Sequence, residues 1–206
     1  RCHGRDPQAV VLGYLSGYNL HDVGHVHTLE QVAGAERLTG DALPVIPDRS
    51  REVRFATVLD NLAWLKAPWD LCYTGNLSVR KALLAQAGGF ARDFDGWGFE
   101  DVDLGIRLHR AGGRYTLSRW ALGYHIASPD ELVEQAQPNN PFRRRTPRPE
   151  AFQGVLRNLD TLARRHEGVG AVQDFVQAVR ADVAETCSAP EVVGVEVGAP
   201  RTEPWP

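Results

Sequence analysis

Three carboxylates fall within four residues at Glu100, Asp101 and Asp103, directly behind Gly96-Trp97-Gly98-Phe99. This stretch constrains the chain more than any other. A helix N-terminus stabilises negative charge, so acids clustered here mark a loop-to-helix junction. Behind them Val102, Leu104, Ile106 and Leu108 fall on one helical face, a stripe that has to be buried. Gly112-Gly113 ends the helix, and residues 114–124 read as one or two strands. Acids in a first turn are ordinary capping chemistry, but the flanks carry a second reading. Glycines on both sides of Trp97 let backbone approach a ligand closely. A Trp beside carboxylates suits a sugar: the ring covers an apolar face while the acids accept hydrogen bonds from hydroxyls. Asp101 is placed to take a proton from an attacking hydroxyl.

The length of 206 residues allows one domain, or one and a fraction. Charged residues at 24% and hydrophobic ones at 43% exclude a wholly disordered or collagen-like chain. A net charge of −3 argues against a strongly basic nucleic-acid binder. No run approaches the ~18 apolar residues of a membrane span, and no secretory leader opens the chain. The chain has no methionine and opens at Arg1, which leads us to expect a processed protein or a piece of a longer one. Residues 9–15 read as a short buried strand and 16–48 as a long surface loop. Residues 49–65 place Val53, Phe55, Ala56, Leu59, Leu62 and Ala63 near helical spacing, ended by Pro68. Ser78 is expected to cap a helix over 79–86 that Gly88 or Gly89 ends. Ser128-Pro129-Asp130-Glu131 is a helix-start signal. Residues 137–149 form a Pro- and Arg-rich loop, helices follow at 150–166 and 171–186, and the tail from 188 is expected to be poorly ordered.

Cys2, Cys72 and Cys187 are odd in number and widely spaced, which fits reduced thiols in a cytosolic setting. His21, His25 and His27 lie close together. A metal site there competes with a solvated loop. Asn76 and Ser78 build a turn and a cap, or contact a ligand. Arg143-Arg144-Arg145 with Arg148 is a basic cluster suited to a solvated loop, to phosphate contacts or to an anionic lipid surface.

Several motifs recur in a specific order: Tyr73-Thr74-Gly75-Asn76-Leu77-Ser78-Val79-Arg80, Gly88-Gly89-Phe90, Gly96-Trp97-Gly98-Phe99-Glu100-Asp101-Val102-Asp103-Leu104, Arg107-Leu108, Gly112, and Gly123-Tyr124-His125. The series resembles the C-terminal half of inverting family 2 glycosyltransferases. It is similar to the galactosyltransferase C-terminal domain of bacterial β-1,4-galactosyltransferase and chondroitin-polymerase relatives. The resemblance covers about residues 7–128. It implies an α/β fold, an incomplete GT-A (Rossmann-like) glycosyltransferase domain with a C-terminal helical extension. The expected divisions are 1–128 for that domain, 129–187 for a lid-like loop and helical extension, and 188–206 for the tail.

What the resemblance implies for the site is specific. Asp101 would be the catalytic base and Glu100 would hydrogen-bond the acceptor. Trp97 would pack on a sugar, while Gly75, Asn76, Tyr73 and Gly98 would lie beside the substrates. His125 would be a metal ligand, for Mn²⁺ or Mg²⁺. The implied partners are a nucleotide-sugar donor and a saccharide or glycolipid acceptor, without nucleic acid. The implied location is cytoplasmic, with peripheral contact at the inner face of the membrane. The family's nucleotide-binding half, with its Asp-x-Asp motif, would precede residue 7. Asp93-Phe94-Asp95 and Asp101-Val102-Asp103 fit that pattern but fall on the acceptor side. A non-catalytic carbohydrate-binding or interaction module is the alternative from another class. A retaining N-acetylgalactosaminyl-type transferase shares the Trp-Gly-x-Glu pattern.

Overall fold

The computed structural model describes residues 2–17, 27–38, 45–126 and 152–188. After a short helix α1 (Cys2–Arg5), strand β1 (Ala9–Ser16) runs through the middle of a three-stranded sheet, and seven of its eight residues are buried. Its Val- and Leu-rich sequence suits a strand covered on both faces. β2 (Leu77–Val79) pairs with it antiparallel and β3 (Arg114–Tyr124) pairs parallel, giving the order β2-β1-β3.

β1 and β3 change register in mid-strand. Gly13 faces Ser118, but Tyr14 faces Leu122, so Arg119, Trp120 and Ala121 are extruded from β3. The extrusion is held from two sides. The Arg119 guanidinium donates to Asp60 at 2.6 and 2.8 Å and to Glu52 at 2.9 and 3.1 Å. The Asn76 side-chain amide donates to the carbonyls of Tyr14 (3.0 Å) and Ala121 (2.8 Å), at the break itself. Gly13 makes room for it: a Cβ there would lie 2.4 Å from the Asn76 side chain.

Helices α2 (Leu29–Leu38), α3 (Arg49–Thr57), α4 (Lys81–Ala87), α5 (Glu100–Arg110), α6 (Gln153–Arg165) and α7 (Gly170–Ser188) complete the described elements. α5 packs behind the sheet and against the turn Pro68–Leu71. Gly105 permits that approach, since a Cβ would lie 2.7 Å from the Cys72 Cβ and 2.9 Å from the Trp69 carbonyl. The Tyr115 hydroxyl of β3 donates to the Gly105 carbonyl at 2.6 Å. One apolar core joins Val10, Leu12, Leu104, Leu108, Leu159 and Val176, so α6 and α7 share it with the sheet.

Several local expectations are revised. The stretch 16–48 contains α2, whose start is a reciprocal cap: the Thr28 hydroxyl accepts from Gln31 N and the Gln31 amide oxygen accepts from Thr28 N. The helix expected over 49–65 stops at Thr57, where Leu59 and Asp60 turn left-handed (φ 48° and 62°). Val53 and Leu59 are therefore exposed while Phe55 and Leu62 are buried. Ser78 caps nothing. It sits in β2 opposite Val11 with its hydroxyl on the His3 ring, and α4 begins at Lys81 without a side-chain cap. Gly88 ends α4 in the left-handed region. His27 is buried in the core, 2.9 Å from the Ser16 hydroxyl and edge-on to Tyr124, and burial lowers its pKa. His21, His25, the start signal at Ser128, the cluster Arg143–Arg145 with Arg148 and the tail lie outside the described residues. Among the described residues no helix is long and apolar enough to cross a membrane. Their cysteines are free.

Candidate functional site

The N-terminus of α5 opens into a cleft of about 180 Å³. It is lined by Tyr73, Trp97, Gly98, Glu100 and Asp101, with Asp70 beside them and Phe175, Val179 and Asp182 of α7 opposite. Five of the eight residues singled out from sequence thus share one surface. Gly75 and Asn76 sit in the turn Thr74–Asn76 next to it but do not line it. The Asn76 amide instead ties Tyr14 of β1 to Ala121 in the extruded part of β3. His125 follows β3, where its amide donates to the Ser16 carbonyl at 2.8 Å, and it is not part of the cleft wall.

Asp101 is the most perturbed acid. Burial, and then the neighbouring Glu100 charge, push its pKa up to about 7 against the pull of backbone amides at Val102 and Thr74. The Val102 amide donates to its Oδ1 at 2.8 Å. A carboxylate poised there is matched to proton transfer near neutral pH. Glu100 accepts from the Gly98 amide at 3.1 Å, closing the turn beneath Trp97. Phe99 takes a left-handed conformation (φ 70°) to enter α5 and rests edge-on against Phe175. A non-glycine residue there is uncommon and strained.

Asn158, Arg165, His166 and Asp70 support the site and were not singled out from sequence. Asn158, buried on α6, accepts from the Asp95 amide (3.1 Å) and donates to the carbonyls of Asp95 (3.0 Å), Trp97 (3.3 Å) and Gly98 (3.1 Å). It fixes the loop that carries Trp97. Its signal is a polar residue on an otherwise apolar face formed with Val155, Leu159 and Leu162. His166 and Arg165 close α6 onto Asp103, each with a ring or guanidinium nitrogen 2.9 Å from Oδ1. Arg107 donates to Oδ2 at 2.6 and 2.9 Å. Asp103 is fully buried; burial alone would raise its pKa, but His166, Arg107 and Arg165 hold it at about 2. Asp70 pairs with Arg54 at 2.7 Å through Oδ2, and burial still raises its pKa.

His125 is a single candidate metal ligand, not a set. Among the described residues no group of three or more His, Cys, Asp or Glu side chains could hold a metal ion. The described donors do not by themselves fit one.

Residues 54–128 match the family described as the N-terminal domain of galactosyltransferase. The matched run is the one whose motifs carry the resemblance given above. The chain is 34% identical over 169 residues to validoxylamine A glucosyltransferase of Streptomyces hygroscopicus subsp. jinggangensis, covering 79% of this chain and 35% of that protein. Over 75 residues it is 36% identical to chondroitin synthase of Escherichia coli (36% of this chain, 11% of that protein) and 33% identical to hyaluronan synthase of Pasteurella multocida (36% and 8%). The chain spans about a third of the length of the first of these relatives and far less of the other two.

Proposed function

We propose that this chain, whose residues 54–128 belong to the galactosyltransferase family, is the acceptor-binding and base-supplying part of an inverting glycosyltransferase. Asp101 carries the reading: a carboxylate with a pKa near 7, in a cleft with Trp97 on one wall. An acceptor hydroxyl gives its proton to the Asp101 carboxylate as its oxygen attacks the anomeric carbon of a nucleotide-sugar. The new C–O bond forms on the face opposite the departing nucleoside diphosphate, which leaves with the electron pair of the broken bond. Glu100 accepts a hydrogen bond from a second hydroxyl, and Trp97 covers the apolar face of the ring. The relatives' names give glucosyl transfer and validoxylamine A in one case, chondroitin and hyaluronan in the others. The cleft is below the ~300 Å³ at which drug-sized pockets begin, which favours a single ring in it.

A divalent metal, Mn²⁺ or Mg²⁺, is proposed for the full-length protein, with His125 as one ligand and the others supplied by residues not described here. It would neutralise charge on the departing diphosphate. The deciding experiment is Asp101→Asn in the full-length protein with product-anomer analysis. We expect turnover to fall by about 10²–10⁴ with the circular dichroism spectrum unchanged, and an inverted anomer from the native protein. Native turnover in the variant refutes the base; a retained anomer refutes the single displacement.

A further inference from the structure

Phe175 of α7 touches two rings that belong to the other side of the cleft. It meets the buried Trp69 of the turn Pro68–Leu71 edge-on, with centroids 5.6 Å apart and planes at 75°. It meets Phe99 in the same way, at 6.1 Å and 83°. Both arrangements are of the kind that aromatic pairs prefer. One side chain of α7 therefore joins the turn behind α5 to the residue through which the chain enters α5. Val179 follows Phe175 by one helical turn, falls on the same face and lines the cleft with it. Both residues lie outside the family-matched segment 54–128.

The contact with Phe99 bears directly on the base. A left-handed phenylalanine is strained and persists only where its surroundings hold it. Phe99 makes no side-chain cap hydrogen bond to α5, so its ring is held by packing. Its carbonyl accepts from the Asp103 amide at 2.9 Å, which sets the first turn of α5, the turn that carries Glu100 and Asp101. Any shift of Phe99 is passed on to a carboxylate two residues away.

The apolar face of α7 has a second effect. The titratable groups of the cleft are Glu100 and Asp101 of α5, Asp70 and Tyr73 from the segment before β2, and Asp182 of α7, and the Cys72 thiol lies near enough to feel the Asp101 charge. None of these is a cation that would favour ionised Asp101, and burial is the larger cause of its raised pKa. Water admitted in place of the Phe175 ring would solvate the Asp101 carboxylate and screen it from Glu100, Asp70 and Asp182. Both changes lower the pKa.

We propose that Phe175 is a positioning residue for the base: through Phe99 it fixes the entry to α5, and together with Val179 it keeps water from Asp101. The proposal rests on Asp101 being the base and adds to that reading an element from outside the matched segment.

The test is the pH dependence of kcat/KM for transfer by the full-length protein, native and with Phe175→Leu, Phe175→Tyr and Val179→Ala, with thermal melts alongside. Phe175→Leu is expected to lower kcat about 10–100-fold and to move the acid limb down from near pH 7 by about one unit. KM for the nucleotide-sugar should stay within about twofold. Phe175→Tyr keeps the ring and should keep the native limb and most of the turnover. Val179→Ala should move the limb in the same direction by about half as much. A role in packing alone would lower the melting temperature of Phe175→Leu and leave its limb at the native position. An unmoved limb in both Phe175→Leu and Val179→Ala overturns the proposal and leaves the base standing, as does a Phe175→Tyr profile like that of Phe175→Leu. If Phe175→Leu does not fold, the Val179→Ala and Phe175→Tyr profiles decide by the same criteria. Native turnover in Asp101→Asn, or a native limb near pH 4, overturns the base and the proposal together.

Discussion

At the residue scale, the decisive feature is the contrast between Asp101 and Asp103, two positions apart on one helix. One points into a cleft where burial and Glu100 disfavour its charge; the other is buried against two arginines and a histidine that favour it. The consequences have opposite signs. A base at Asp101 must be ionised to accept a proton, so kcat/KM is expected to be flat above about pH 7 and to fall roughly tenfold per pH unit below it. A pH profile of the native full-length protein checks this; a limb near pH 4 would contradict it. The raised pKa also means that ionising Asp101 costs stability. Its favourable contribution is present below pH ~4 and is lost as pH rises through 7. Asp101→Asn should therefore stabilise the protein by about 1 kcal/mol at pH 8 while removing activity, measurable by thermal melting.

At the scale of elements, α6 acts as a brace for α5 and for the loop before it. Asp103 contributes stability above its unfolded pKa, near 4, and loses it as pH falls toward 2, a span worth about 2 kcal/mol. Replacing it leaves Arg107, Arg165 and His166 without their shared partner. Asp103→Asn is expected to cost about 3–5 kcal/mol, read from urea unfolding at pH 7; a loss under 1 kcal/mol would mean the network is dispensable. Asn158→Ala strips the carbonyls of Asp95, Trp97 and Gly98 of their donor. We expect a loss of about 2 kcal/mol and a weaker apparent affinity for acceptor, because the Trp97 loop is no longer held. Acceptor affinity equal to the native value would separate Asn158 from the site. The element starts show how local signals lead or mislead. Thr28-Leu29-Glu30-Gln31 is a capping box that announces α2, yet it lies in a stretch read as loop because the glycines and prolines around it dominate. Ser78 has the chemistry of a cap, but Leu77–Val79 is taken by strand pairing with β1, which satisfies backbone groups that a cap would not.

For the whole molecule, the described residues form one core, and the cleft opens where α5 and α7 meet over it. The metal proposed for transfer gives a prediction of its own: chelation with EDTA should abolish transfer and Mn²⁺ should restore it, and transfer indifferent to EDTA would refute the metal. The ordered motifs from Tyr73 to His125, the buried strand β1 and the helix carrying Glu100, Asp101 and Asp103 were legible in sequence, because each rests on contacts within a few residues or on a run of fixed spacing. What tertiary structure alone decided is of another kind. Asn158 and Trp97 are 61 residues apart and Asp182 and Asp101 are 81 apart, so their meeting depends on how α6 and α7 dock on the core. The three-residue extrusion of β3 depends on Asn76 reaching two strands at once. Burial and charge at a site are sums over neighbours brought by folding, so the residue types at the site are written in the sequence, while their protonation and the shape of the cleft arise only in three dimensions.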